Sequence, residues 1–209
     1  MGRLFVYTRT AGYRHASIPA GVRAFADLGF GIDHGEGDLP ALRDYAAVVF
    51  LSTSGDILTE AGKEELVSYL TAGGAWLGVH AASTTEYGWP WYGGLAGARF
   101  DQHPDIQKAT MTVEVPDHPA VAHLGPTWTW TDEWYAFRQN PRPDGVQVLL
   151  SVDERTYQGG TMGSDHPIAW CHEYGGGRSF YTALGHADEA YADPAFLRHL
   201  RGALDWLSA

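Results

Sequence analysis

The sequence predicts an α/β protein built on a doubly wound, mostly parallel sheet, with antiparallel additions in its second half. Three features carry that expectation. In the first half, short apolar runs alternate with segments of helical spacing, as parallel strands and their crossover helices do. In the second half, strand-like runs follow one another through Gly- and Pro-rich connections, the habit of antiparallel strands. The closing segment, "DPAFLRHLRGALDWLSA", returns to helical spacing and is expected to dock on the sheet.

The elements follow in order. Leu4 to Tyr7, Phe30 to Ile32, Ala46 to Leu51 and Ala75 to Val79 read as strands, the third apolar throughout, as burial on both faces requires. Between the first two, "SIPAGVRAFADLG" offers Ser17 as N-cap, Pro19 in the first turn and Gly29 as terminator. Between the third and fourth, "TEAGKEELVSYLTAGG" has Thr59 as N-cap, early acidic residues and Gly73-Gly74 as a stop. Right-handed crossovers then generate the open sheet. "ATMTVEV", "VQVLLSV", "PIAWCHEY" and "RSFYTAL" are the later strands, the last two joined by a hairpin at Gly175-Gly176-Gly177. Asp193 caps the final helix and Pro194 takes its first position. No repeat or linker interrupts residues 1–209, so one domain is expected.

Bulk composition narrows the partners. A net charge of −11 over 209 residues disfavours nucleic acid and anionic membranes, which both need basic patches. No apolar run is long enough to span a bilayer. The single cysteine, Cys171, forbids an internal disulfide and a four-cysteine zinc site. The chain enters a strand-like run at once rather than a secretory leader, so cytoplasmic residence is the expectation.

Ligands of open parallel sheets bind beyond the carboxyl ends of the strands. "TRTAGYRHAS", "STSGD", "HAASTTEYGWPWYGG" and "GHADEAYAD" follow such ends and bring Arg14, His15, His80 and His186 toward one rim. Any one of these histidines alone reads as a core or surface residue; three at separate strand ends point to a site. "TWTWTDEWYAFRQNP" adds Asp132 and Glu133 among aromatics, and "EYGWPWYGG" adds Trp89 and Trp91. Flat rings beside carboxylates suit a sugar-sized cleft. "GGTMGSDHPIAW" contributes His166 but lacks the Lys-Ser/Thr ending of a phosphate-cradling loop. His103, His118, His123 and His199 are expected in structure or solvent. Neutral imidazoles from His15, His80, His166 or His186 with a carboxylate could hold a divalent metal such as zinc, although no short-range ligand spacing announces one.

Taken together, "TRTAGYRHASI", "VFLSTSGDILT", "GGAWLGVHAASTTEYGWPWYGGLAGARFDQHP", "TDEWYAFRQNP", "GGTMGSDHPIAW" and "SFYTALGHADEAY" closely resemble the trehalose-utilisation, or ThuA-like, family over almost the whole chain. The resemblance implies a flavodoxin-like, class I glutamine amidotransferase-like fold. It places His80 where that fold carries its nucleophilic cysteine and His186 where the partner histidine falls, so thiolate glutaminase chemistry is absent. It further implies disaccharide catabolism beside a sugar oxidoreductase that makes 3-keto sugars. The expected activity is a hydrolase, lyase or isomerase reaction on such a sugar, with His80, His186 and Glu133 as the catalytic set. Arg14, His15, Asp132 and His166 would bind substrate, and Trp89, Trp91 and Trp134 would shape the cleft. Two alternatives accompany it: a sugar- or protein-binding module on a degraded amidotransferase fold, and a metal-dependent hydrolase that uses the same histidines as ligands.

Overall fold

A computed structural model describes residues 2–209. The four early apolar runs are strands β1 (Arg3–Tyr7), β2 (Gly31–Gly35), β3 (Ala47–Leu51) and β4 (Ala75–Val79), joined in part by helices α1 (Ile18–Asp27) and α2 (Glu60–Thr71). Every residue of β3 and β4 is buried, as strands covered on both faces must be. Gly78 is required by packing: a Cβ there would lie 2.1 Å from the ring of buried Trp76.

Thr59 caps α2 as expected, its side chain accepting from the Gly62 N–H at 3.2 Å. Ser17 does not cap α1. Its backbone is already helical because a turn from His15 leads into the helix, and its hydroxyl makes no cap bond. The aromatic stretch after β4 contains helix α3 (Pro90–Ala96), started by Pro90 and closed by Gly97 at φ 83°.

The later strands are β5 (Phe100–Gln102), β6 (Gln107–Val113), β7 (Thr127–Asp132), β8 (Ala136–Phe137), β9 (Gln147–Val152), β10 (Pro167–Tyr174) and β11 (Gly177–Thr182). Gly175 and Gly176 form the β10–β11 hairpin with φ of 62° and 99°, a turn that side-chain-bearing residues rarely adopt. Helix α4 (Pro194–Leu207) is capped by Asp193, which accepts from the Ala195 and Phe196 N–H groups.

Nine strands form one sheet in the order β2-β1-β3-β4-β11-β10-β9-β6-β7, and β5 pairs separately with β8. The first five are parallel neighbours, and antiparallel pairing begins at β11–β10. Only β10 and β6 oppose the common direction, so β7 and β9 end at the same rim as β1, β3, β4 and β11. In a flat sheet β7 would sit roughly 19 Å from β11, four spacings of about 4.8 Å. Yet the Asp132 carboxylate, at the end of β7, accepts from the Gly185 N–H just past β11 at 2.9 Å. The antiparallel half therefore curls back over the carboxyl ends of the parallel half and closes the rim. Among the described residues, no helix is long and apolar enough to cross a membrane.

Candidate functional site

Four elements deliver the groups at the rim. His15 lies in the loop after β1, His80 directly follows β4, His186 follows β11, and Glu133 follows β7. His80 opens a 3₁₀ turn, His80–Thr84, with φ of 53°, a left-handed value that costs a non-glycine residue about 1–3 kcal/mol. This strained strand-to-helix corner aims the imidazole inward, and the Tyr181 hydroxyl fixes it by donating to the His80 carbonyl at 2.7 Å. Gly185, at φ 106°, makes the corresponding bend before His186. Asp132 accepts from the backbone N–H groups of Glu133, Gly185 and His186, so one carboxylate registers two of the arriving segments.

The side chains converge. His80 Nδ1 lies 2.7 Å from the Ala183 carbonyl, which can only accept, so Nδ1 carries a proton and the tautomer this fixes presents its lone pair at Nε2. Around that Nε2 stand His15 Nε2 at 3.1 Å, the Tyr135 hydroxyl at 2.9 Å and Glu133 Oε2 at 3.3 Å. Glu133 Oε2 is also 3.1 Å from His186 Nδ1, and Glu133 Oε1 is 3.5 Å from His103 Nε2. The His186 ring nitrogen is buried without an aligned hydrogen bond, so its closeness to Glu133 is one of charge rather than of a formed bond. His15 Nδ1 is likewise buried and unpartnered.

Electrostatics divides these groups. Burial, reinforced by His80 and His186, lowers His15 to about 3 and keeps it neutral. Burial opposes ionisation of Glu133, but His186 and His80 outweigh it and hold the carboxyl well below its usual range. Glu133 in turn raises His186 above an ordinary imidazole. The site thus holds an ionised carboxylate in Glu133, an imidazole in His186 that retains its proton readily, and a neutral imidazole in His15.

The family model described as ThuA, trehalose utilisation, matches residues 3–207. The chain belongs to the ThuA family. A ThuA-like protein from Bacteroides uniformis superposes with a TM-score of 0.79 at 24% identity, covering 99% of this chain and 91% of the other. One from Parabacteroides merdae gives 0.83 at 20% identity, over 99% and 90%. A β-galactosidase from Bacillus circulans sp. alkalophilus gives 0.65 at 12% identity, with 97% of this chain matching 30% of that much larger one. These likenesses show a shared fold. No curated protein matches.

In this ThuA-family chain a cleft of about 560 Å³ opens over the cluster. Tyr13, Tyr87 and Phe100 supply aromatic walls, and His15, His103, Glu133 and Tyr135 supply the polar end. Of the residues expected from sequence, His15, His80, Glu133 and His186 are brought together. His80 is fully buried beneath Tyr135 and His15 rather than exposed to the cleft. Asp132 is spent on backbone N–H groups and the Trp130 indole, a positioning role. His166 also acts at a remove: its Nε2 meets the Tyr135 carbonyl at 2.8 Å while Nδ1 faces Glu154 and Tyr157.

Four expected contributors lie elsewhere. Arg14 bonds the Thr8 carbonyl and Glu36 on the outside of the β1 loop. Trp89 and Trp91 stack on each other at 5.0 Å, packed between Lys63 and Tyr174, because α3 turns them to its outer side. Trp134 is wholly buried, its indole donating to the Gln107 carbonyl. The tyrosines and Phe100 shape the cleft instead. His103, expected from sequence in structure or solvent, instead lines the cleft beside Glu133, and Tyr135 joins the site with only its adjacency to the Asp132-Glu133 pair to signal it.

Cys171 sits buried in β10, its thiol pushed up to about 12 by burial, so it offers no thiolate.

Proposed function

We propose that the chain is an enzyme of carbohydrate catabolism that acts on an oxidised (3-keto) disaccharide or glycoside by acid/base chemistry. The observation that carries this reading is one ionised carboxylate, Glu133, coupled to His186, His80 and His103 at the polar end of the cleft. The cleft falls within the roughly 300–1,000 Å³ typical of small-molecule sites. Its tyrosine and phenylalanine faces suit the apolar faces of a sugar ring, and its other end suits hydroxyl groups.

A ketone at C3 acidifies the C2–H bond. A base that takes this proton leaves an enolate; if the C1–O bond then breaks, its electron pair departs with the glycosidic oxygen and a C1=C2 double bond forms. The departing oxygen needs a proton. Glu133, which lines the cleft, would take the proton and hand one to the departing oxygen; His186, 3.1 Å from it but off the cleft lining, would exchange protons with it, while His80 reaches the cleft through Tyr135, 2.9 Å away, or through His15. The family description of trehalose utilisation supports a disaccharide. Such a substrate arises by two-electron oxidation at C3, so a sugar oxidoreductase must supply it.

The test incubates the purified protein with 3-keto-trehalose and a simple 3-keto glucoside in D₂O and follows C2 deuteration and aglycone release by NMR. Turnover that falls about 10²–10⁴-fold in Glu133→Gln and His186→Asn supports the reading. Saturable sugar binding with neither exchange nor cleavage would identify a binding module.

A further inference from the structure

We propose that His15, His80, Glu133 and His186 are the protein ligands of a divalent first-row transition-metal ion at the polar end of the cleft. The proposal concerns the same site as the catalytic reading but stands without it, because binding can be measured with no substrate present, and a bound ion would take Glu133 and His186 out of the acid–base roles given them above.

The first argument is spacing. One ligand atom from each of the four side chains lies within 4.8 Å of all the others. Neighbouring atoms are 3.1 Å apart for His15 and His80, 3.3 Å for His80 and Glu133, and 3.1 Å for Glu133 and His186. Bonds of roughly 2.0–2.1 Å around a tetrahedral ion would set their outer atoms roughly 3.3–3.4 Å apart. Those three pairs already stand near that spacing, and the other three lie within 4.8 Å.

The second argument is that hydrogen bonding leaves the cluster incompletely explained. His80 Nε2 has three polar neighbours within 3.3 Å and one lone pair to offer them. His186 Nδ1 is buried 3.1 Å from a carboxylate oxygen without an aligned bond. Atoms that approach one another without pairing are what a shared central ion would organise.

The third argument is the support behind the ligands. The Ala183 carbonyl fixes the His80 tautomer so that Nε2 faces the centre, the outer-shell arrangement that orients metal-bound imidazoles. Asp132 holds the backbone of both Glu133 and His186. Once binding displaces the His186 proton, three neutral imidazoles and one carboxylate carry a charge of −1, which a divalent ion more than neutralises, and this nitrogen-rich set suits zinc, cobalt, nickel, iron or manganese over magnesium or calcium. His15 and Glu133 line the cleft, so an ion between them meets that space and could take a ketone or hydroxyl oxygen as a further ligand. Proton transfer would then fall to His103, which faces the second Glu133 oxygen.

The experiment strips the purified protein with a chelator, then titrates Zn²⁺, Co²⁺ and Mn²⁺ separately by calorimetry, with metal content determined after gel filtration. One ion per chain is expected, with visible d–d bands for Co²⁺. His15→Gln and His186→Gln should each weaken binding by about 100-fold or more, whereas His123→Gln should leave it unchanged. Fewer than about one ion per ten chains for all three metals, or binding indifferent to both ligand substitutions, overturns the proposal. A metal-loaded protein that leaves 3-keto sugars untouched would overturn the substrate reading and keep the metal site. Turnover by chelated protein that binds no ion would do the reverse.

Discussion

The two halves of the sheet contribute different chemistry to one rim. The parallel half buries its central strands on both faces and delivers imidazoles: His15, His80 and His186 each follow a strand of β1-β3-β4-β11 stock. The antiparallel half alternates buried and exposed residues along β6 and β7, as a sheet with one open face does, and delivers Glu133, Tyr135 and His103. Neither half holds a complete acid–base set. The parallel half can be recognised as a binding edge by topology alone, but its histidines acquire a charged partner only because the other half curls over them.

The sharpest way to break this comparison is Glu133→Gln, which keeps shape and removes the charge that joins the halves. Turnover of a 3-keto glucoside should fall about 10³-fold, with KM changed far less, in a steady-state assay. Retention of more than a tenth of the activity would mean that the parallel half suffices. Asp132→Ala tests the mechanical joint instead. Its loss leaves the N–H groups of Glu133, Gly185 and His186 without their acceptor, at a cost of about 3 kcal/mol. A drop in Tm of roughly 6–12 °C should follow in calorimetry, and Asp132→Asn, which still accepts at one oxygen, should lose about half as much.

The same division governs what was legible in the sequence. Strand ends of the parallel half could be located from apolar runs and caps, and the rule that ligands gather there singled out as candidates His15, His80 and His186, which the structure brings together. The family resemblance found the fold. Glu133 was visible only as one acid among tryptophans, and its aromatic neighbours misled: Trp134 points into the core to reach the Gln107 carbonyl, and Trp89 and Trp91 lie on the far side of α3. Which face of a short helix or curled edge strand meets the rim depends on tertiary packing that periodicity does not encode. His103 precedes Pro104, a pattern that correctly announced a loop but not that the loop hangs over Glu133.

A second joint between the halves titrates. His199, on α4, is fully buried, with Nδ1 at the Ala120 carbonyl of the β6–β7 connection and Nε2 at the Thr182 hydroxyl of β11. Burial lowers it to about 4 from an ordinary 6.5. Between those values the unfolded chain binds a proton that the folded one refuses, so stability is intact above pH 6.5 and declines as pH falls toward 4. Urea unfolding should show a loss of about 2 kcal/mol from this group between pH 7 and pH 5. His199→Gln, although less stable at neutral pH, should flatten the slope; an unchanged slope would assign the acid sensitivity to other groups, such as His118, which burial also lowers to about 4.

The smallest effect is expected at Arg14, and it sharpens the boundary of the site. Arg14 shares the β1 loop with His15, yet its guanidinium turns outward to Glu36 and the Thr8 carbonyl while His15 turns inward to His80. An exposed ion pair of this kind contributes about 0–1 kcal/mol. Arg14→Ala should therefore change stability by about 0.5 kcal/mol or less and leave kcat and KM within about twofold, because the residue neither lines the cleft nor supports a group that does. A KM raised tenfold at unchanged kcat would show that the loop after β1 swings its cation over the bound sugar. In that case the parallel half would supply a charged group of its own, and the contrast between the halves would narrow to the carboxylate alone.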